Sequence, residues 1–143
     1  MAENAATQSA ADMRKLAEAS NPLLVVQNPI VVNASLGVLA AYLARKWAYA
    51  NFRDQFGWAS KGPDGKIHYY AVKKDASGNI VPDTSKEVSN AYLNRILLNL
   101  GGVVLGTLLI NNTLIEDASA DYIGLGVAAG SFANLIMTMF QID

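Results

Sequence analysis

The chain has 143 residues, a net charge of −1 and no cysteine, and 52% of its residues are hydrophobic while only 16% are charged. A typical soluble domain is about 25% charged, so the shortage of charge indicates long segments that do not meet water. The small net charge gives no support for nucleic-acid binding, and the lack of cysteine excludes disulfides, cysteine-ligated metals and thiol catalysis.

Residues 1–21 form a polar N-terminal segment that is rich in Ala, Gln and Ser. Met13 and Leu16 have helical spacing, so we predict a short surface helix that ends before Pro22. The segment mixes acidic and basic side chains and does not look like a secretory signal. We therefore expect the apolar segment that follows to be retained.

Residues 22–44 form an uncharged segment that ends at Arg45. It is long enough for an α-helix to cross the roughly 30 Å of hydrocarbon in a bilayer, so we predict a first transmembrane span here. Pro29 can break such a helix. A shorter helix that begins at Pro29 and continues through Phe52 is an equally acceptable interpretation.

Cations and aromatic side chains alternate directly after this segment. Rings mixed with Lys and Arg are favoured in the headgroup zone of a membrane, because each ring keeps one edge in water. The alternative to a membrane-interface segment is an ordinary amphipathic helix that packs against the rest of its own domain. The predicted membrane-interface residues are Arg45, Lys46, Trp47, Tyr49 and Trp58, together with Arg95 from the next apolar segment.

Residues 45–90 form a polar insert, and the part from residue 59 onwards is the only clearly water-soluble stretch of the chain. Polar and apolar residues alternate loosely over residues 66–73, which also carry aromatic and β-branched side chains, as a strand does. Residues 75–79 have the composition of a turn, and a return strand begins at Ile80. We predict a small two-stranded β-hairpin. It would be marginally stable alone and is expected to rest on the membrane or on a partner.

Residues 91–143 contain two more apolar segments, Ala91–Ile110 and Tyr122–Phe140, joined by a short polar connection. Arg95 is the only charged side chain inside either segment. Each segment is long enough to span a bilayer, so we predict a helical hairpin of a second and a third span. Arg95 lies one turn inside its span, and we expect its side chain to extend to the headgroups.

The predicted fold class is an all-α membrane protein with three transmembrane helices and a polar insert that contains the hairpin. The 45–90 insert holds eight of the eleven Lys and Arg residues, and the 111–121 connection holds none. Loops rich in Lys and Arg stay cytoplasmic, so we expect the insert and the C-terminus inside and the N-terminus outside. The membrane would be an inner, cytoplasmic or virion membrane.

Each apolar segment carries a stripe of small residues with an asparagine in it or beside it. Lipid gives helices no hydrophobic reason to associate, so close approach over Gly and Ala and hydrogen bonds from Asn provide the packing. We interpret the stripes as helix–helix contact surfaces, either within one chain or between the chains of an oligomer. The predicted packing residues are Asn33, Gly37, Ala41, Asn99, Gly102, Gly106, Gly126, Gly130 and Asn134.

The sequence predicts no catalytic, cofactor or metal site. His68 is the single histidine, and no carboxylates are spaced around it as zinc ligands would be. Residues 124–130 resemble a dinucleotide-binding fingerprint with one residue too many, but they lie inside an apolar run and follow no strand. The spans also lack carboxylates for proton relay. We expect no enzyme activity, no cofactor and no small-molecule substrate.

The expected function is a non-catalytic structural subunit of an oligomeric membrane assembly, with the lipid bilayer and other membrane proteins or further copies as partners. A second hypothesis is a pore. In length and in the predicted topology of residues 22–143 the chain resembles the phage holins with three transmembrane segments, which implies oligomerisation into membrane lesions. Holins usually end in a basic tail, whereas this chain ends at Asp143. Further hypotheses are a virion membrane component, a genome-ejection component and a soluble helical coat subunit.

Overall fold

The computed structural model describes residues 2–111 and 114–142, with side chains described from residue 5 onwards. It is 65% helical and contains a small three-stranded antiparallel sheet. The chain divides into two units, which we call unit 1 (residues 1–42 and 101–132) and unit 2 (residues 43–100 and 133–143).

The helices and strands follow one another along the chain, with the three strands between the fourth and fifth helices. Their bounds are α1 Ala2–Glu18, α2 Pro22–Gln27, α3 Pro29–Asn51, α4 Arg53–Phe56, β1 Trp58–Lys61, β2 Ile67–Lys74, β3 Ile80–Glu87, α5 Ala91–Ile110 and α6 Ala118–Met139. Residues 112 and 113 of the predicted polar connection lie outside the described residues.

The first apolar segment is interrupted at Asn28, between α2 and α3. Proline has no N–H to extend the preceding helix, but its fixed φ suits the first position of a new one. The Asn28 side chain accepts a hydrogen bond from the N–H of Ile30 at 2.9 Å and so caps α3. The prediction of one uninterrupted helix over residues 22–44 is therefore wrong, and the structure has the shorter helix that begins at Pro29.

Among the described residues, two helices are long and apolar enough to cross a membrane: α5 with 20 residues and α6 with 22. α3 has 23 residues but does not meet the same requirement. Its second half carries Arg45 and Lys46, and charged residues are costly in the hydrocarbon. The structure thus supports two of the three predicted spans as candidate membrane helices.

The polar insert folds as an antiparallel sheet with the strand order β1-β2-β3. β2 and β3 are the two strands of the predicted hairpin, and the Asp75 side chain accepts backbone hydrogen bonds from both Ser77 and Asn79 in the turn between them. Gly78 supplies the positive φ of 82° that this turn requires. β1 adds a third strand that the sequence did not predict, because four residues are too few to display alternation.

Unit 2 has a small hydrophobic core made of Ala48, Tyr49 and Phe56, with Leu98 packed against it. The rings of Tyr49 and Phe56 lie 5.1 Å apart between centroids. α4 ends at Gly57, which has a φ of 65°, and a Cβ atom on this residue would lie 2.8 Å from the Cβ of Tyr69. Glycine at this position therefore allows α4 to turn directly into the sheet.

Candidate functional site

In unit 1, α3 and α6 approach each other to backbone contact. A Cβ atom at Gly37 would lie 2.7 Å from the backbone nitrogen of Val127, and one at Gly126 would lie 2.7 Å from the carbonyl carbon of Ala34. Real Cβ atoms essentially never come within 3.0 Å of such neighbours. Two of the predicted packing glycines therefore lie at a helix crossing within one chain.

α5 and α6 form a second crossing in unit 1. A Cβ atom at Gly106 would lie 2.5 Å from the backbone nitrogen of Ala128, and one at Gly102 would lie 2.8 Å from the Cβ of Ser131. Gly124 completes this crossing, since its own Cβ would lie 2.7 Å from the carbonyl oxygen of Gly106. Close helix contact over small residues is a common packing mode of membrane helices.

The remaining predicted packing residues fall into two groups. Ala41 and Gly130 extend the contact between α3 and α6, with 3.3 Å between the Ala41 Cβ and a Cβ built at Gly130. Asn33 instead donates to the carbonyl of Pro29 within its own helix at 3.0 Å. In unit 2, Asn99 and Asn134 are buried, with 3% and 7% of their surface exposed.

Arg95 is the centre of a buried polar cluster in unit 2. Its Nε donates to the carbonyl of Phe56 at 2.8 Å and its Nη2 donates to the carbonyl of Gly57 at 3.1 Å. The guanidinium carbon lies 4.0 Å from the ring centroid of Tyr49 and 4.5 Å from that of Tyr69. These are charge-assisted hydrogen bonds and cation–π contacts, which are strongest away from water.

The burial of Arg95 corrects the prediction that its side chain extends to the headgroups, because only 2% of its surface is exposed. The physical reason is the end of α4, whose carbonyls lack partners within the helix and attract a cation. Arg45 and Tyr49, two other predicted interface residues, are also buried at 8% exposure each. Sequence reasoning did not find this cluster, since the acceptors lie 38 and 39 residues from Arg95 in the chain.

The other predicted interface residues stay at or near the surface. Lys46 is exposed, and Trp47 exposes 61% of its surface. Trp58 is half-buried, with the Arg53 guanidinium carbon 4.5 Å from its ring centroid. Burial and the positive charge of Arg95 lower the pKa of Arg53 from its ordinary value.

A second buried polar cluster, around Asp12, lies in unit 1. The Asp12 carboxylate is 1% exposed and accepts hydrogen bonds from the Tyr122 hydroxyl at 2.7 Å and from the Gln8 amide at 3.1 Å. The Asn28 side chain donates to the backbone carbonyl of Asp12 at 2.9 Å. The cluster joins α1 to Tyr122, near the start of α6, and to Asn28, at the break between α2 and α3.

The sequence contains one signal that could have located the Asp12 cluster. Ala5, Ser9, Asp12 and Leu16 share one face of α1 by their spacing, and the structure leaves none of the four exposed. An acidic residue on the small, less polar face of a helix indicates a buried hydrogen-bonded carboxylate. Its main partner, Tyr122, lies 110 residues away, so the sequence could not identify it.

Several polar side chains are buried and many large apolar side chains are exposed among the described residues. The largest fully buried side chains among the described residues are Arg95, Thr138 and Asp12. Large apolar side chains are exposed instead, for example Leu23 at 65% and Val104 at 59% in unit 1 and Leu97 at 55% in unit 2. Large contiguous apolar surfaces mark contacts with lipid or with other proteins.

His68 is the one histidine of the chain, and it lies on β2 with both ring nitrogens facing carboxylates. Nδ1 is 2.5 Å from a Glu87 oxygen, and Nε2 is 2.9 Å from both oxygens of Asp64. The two carboxylates lie on opposite edges of the ring and do not converge on one point. No group of three side chains able to hold a metal ion occurs in the described part of the chain.

We expect the sheet to lose stability as the pH rises from about 6.5 through the raised pKa of His68. A neutral imidazole has one N–H and can donate to only one carboxylate. Hydrogen bonds that the charged ring donates to Asp64, and to a smaller extent to Glu87, therefore raise the pKa of His68. A pKa raised by folding stabilises the fold fully below the unfolded value of about 6.5, and this contribution is lost as the pH rises through the folded value. NMR titration of the His68 ring protons measures the shift.

The Asp64→Asn and Glu87→Gln variants should each bring the pKa of His68 back toward its ordinary value. Asp54→Asn, which changes an acid of α4 and not of the sheet, is the control and should leave the titration unchanged. A His68 pKa at or below about 6.5 in the unmodified protein would contradict the double hydrogen bond.

No protein-family model, curated protein or solved structure matches the chain. The residues themselves are therefore the basis for its function. They provide two helix crossings, two buried polar clusters and an extensive exposed apolar surface.

Proposed function

We propose that the chain is a non-catalytic integral membrane protein that serves as a structural subunit of an oligomeric membrane assembly. The observation that carries the proposal is the large number of exposed Leu, Val, Ile and Phe side chains, together with buried polar groups such as Arg95, Asn99 and Asp12. Burying a Leu or Val side chain is worth about 1.5–3 kcal/mol, so an aqueous surface of this kind would be strongly disfavoured. In hydrocarbon, exposed Leu and Val side chains carry no free-energy penalty, whereas polar groups must be buried because lipid offers them no hydrogen-bond partner.

α5 supports the proposal most directly. Its buried positions are Ala91, Arg95, Asn99 and Gly106, whereas its exposed positions carry mainly Leu and Val. A soluble amphipathic helix has the reverse arrangement, with its apolar stripe toward the core. The buried Asn99 side chain donates to the Tyr49 hydroxyl at 3.2 Å and to the carbonyl of Arg95 at 2.8 Å, as an amide in hydrocarbon must.

We include α2 and the apolar part of α3 as a third, kinked membrane segment. α2 has no buried residue, and Leu23, Leu24 and Val26 each expose more than half of their surface. Along α3, Leu36 and Leu39 are also about half exposed. Because α2 carries apolar side chains around its circumference, we expect it to lie in apolar surroundings such as lipid. In this arrangement the Lys-rich sheet lies inside and the N-terminus outside.

Leu100→Arg tests the membrane location, because Leu100 lies at the middle of α5 and is 42% exposed. An arginine at the centre of a membrane helix costs about 2.5–3.5 kcal/mol of insertion, so the variant should be lost from the membrane fraction. At a water-exposed position the same change would alter stability by only about 0.5 kcal/mol. The measurement is the fraction of protein that pellets with membranes after extraction in alkaline carbonate.

Ile80→Arg is the matched control, since Ile80 is 56% exposed on β3 in the polar sheet and should tolerate the charge. Release of the unmodified protein into the carbonate supernatant would contradict the proposal and favour the soluble coat subunit. The holin-like pore and the virion component stay predictions. Killing of cells at a fixed time after induction would favour the pore.

A further inference from the structure

β3 leaves the regular pairing of the sheet before the chain reaches α5. Two neighbouring residues of β2 pair with Asp83 and Glu87, which are four positions apart on β3, so residues 84–86 lie outside the regular pairing. The chain returns to β2 at Glu87, and the N–H of Val88 donates to the carbonyl of Tyr69 at 2.8 Å. This returning contact holds the connection that leads from the sheet into α5.

The His68 side chain joins the returning end of β3 to the β1–β2 turn. Its Nδ1 lies 2.5 Å from a Glu87 oxygen, and its Nε2 lies 2.9 Å from both oxygens of Asp64. The ring also stacks on Tyr70 of β2, and its register partner on β1 is Ser60, so these two neighbours add no charge. Only a ring that carries a proton on both nitrogens can donate to both carboxylates.

The two carboxylates differ once the ring has released one proton to water. Asp64 is held by the turn, since it also accepts a hydrogen bond from the N–H of Lys66 at 3.0 Å. The ring lies against the same turn, where a Cβ atom at Gly62 would be 2.6 Å from the His68 Cδ2. The Glu87 side chain is longer and 55% exposed, and His68 is its one hydrogen-bonding or ion-pairing partner in the described part of the chain. The remaining N–H therefore stays with Asp64, and Glu87 turns away from the unprotonated nitrogen.

We propose that His68 is a pH-sensitive clamp, in which the charged ring fixes the returning end of β3 to the β1–β2 turn and the neutral ring releases Glu87. Loss of the clamp loosens residues 84–88, which connect the sheet to α5. The raised pKa of His68 supports the clamp, because a ring that donates to two carboxylates keeps its proton to a higher pH. The clamp belongs to the sheet and does not depend on the proposed membrane location.

Amide hydrogen exchange at Val88, followed by NMR on the full chain, measures the opening, because this N–H is bonded across the returning contact. Its protection factor, which corrects for the ordinary rise of exchange with pH, should fall as the pH passes through the titration of His68. By linkage, the fall should match the factor by which Glu87 raises the proton affinity of the ring. The amide of Gly78 is the internal control, since it donates to the Asp75 carbonyl at 3.0 Å in the β2–β3 turn and should keep its protection. A constant protection factor at Val88, or an equal fall at Gly78, would overturn the proposal.

Two variants of Glu87 separate the clamp from other effects of pH. In Glu87→Gln the amide can accept from the charged ring and donate to the neutral ring, so Val88 should stay protected throughout the His68 titration. In Glu87→Ala no clamp forms, so the lower protection should be present on both sides of that titration. Asp54→Asn, which removes an exposed acid of α4, is the matched control and should keep the full pH dependence. A pH-dependent fall that survives in Glu87→Ala would assign the effect to another group and refute the clamp.

Discussion

Replacing Arg95 by methionine is expected to destabilise unit 2 by about 3–5 kcal/mol, the range found when one member of a buried charged contact is removed. The variant leaves the carbonyls of Phe56 and Gly57 buried without their donor, and each unsatisfied group costs about 1–3 kcal/mol. It also removes the cation between the rings of Tyr49 and Tyr69. The end of α4 and the start of the sheet should therefore separate from α5.

Tryptophan fluorescence during denaturant titration measures this loss selectively, because both tryptophans of the chain, Trp47 and Trp58, lie in unit 2. Arg95→Lys should be intermediate, since an ammonium keeps the charge but lacks the fork that serves two carbonyls. Arg53→Met is the control and should cost no more than about 1 kcal/mol, as expected for a partly exposed cation–π contact. Equal midpoints for Arg95→Met and the unmodified protein would contradict the buried cluster.

Replacing Gly126 by alanine should destabilise unit 1 by about 2–3 kcal/mol, near the upper end of the usual cost of overpacking. The new methyl group would collide with the carbonyl group of Ala34, and a backbone cannot rotate away as a side chain can. α3 and α6 would have to separate along the crossing. The effect should appear as an earlier loss of helical circular dichroism in a titration with sodium dodecyl sulfate.

Gly130→Ala is the matched control on the same helix and facing the same neighbour. Its methyl group would lie 3.1 Å from the Cα of Val38 and 3.3 Å from the Cβ of Ala41, which small adjustments relieve. We expect a cost below about 1 kcal/mol for this variant. Similar midpoints for the two alanine variants would show that α3 and α6 do not cross as closely as described.

The parts of the fold that depend on local pattern could be predicted from the sequence. The predicted second span, residues 91–110, has the same bounds as α5, because a charge-poor apolar run is flanked by asparagine on both sides. α6 begins at Ala118, four residues before the predicted third span at Tyr122, because its first turn contains Ser119 and Asp121 and so falls outside the apolar run. The strand predicted over residues 66–73 is β2, displaced by one residue.

The parts that depend on contacts between distant segments could not be predicted. A single arginine in an apolar run gives the same local sequence pattern whether its side chain extends to headgroups or donates to buried carbonyls. The acceptors of Arg95 belong to Phe56 and Gly57, which are distant in the sequence. The small-residue stripes indicated contact surfaces, but they did not show which helix each one meets. That information lies in the tertiary arrangement, where Gly37 meets α6 and Gly102 meets the side chain of Ser131.

The position of Arg95 has a consequence for biosynthesis. Its acceptors and both tyrosine rings precede it in the chain, so ribosomes complete α4, Tyr69 and the strands before α5 emerges. A nascent α5 would then enter the bilayer with a docking place for its guanidinium already made. Under the proposed membrane location, insertion of this helix would be coupled to prior folding of the sheet, and we expect a defect in the sheet to reduce insertion of α5.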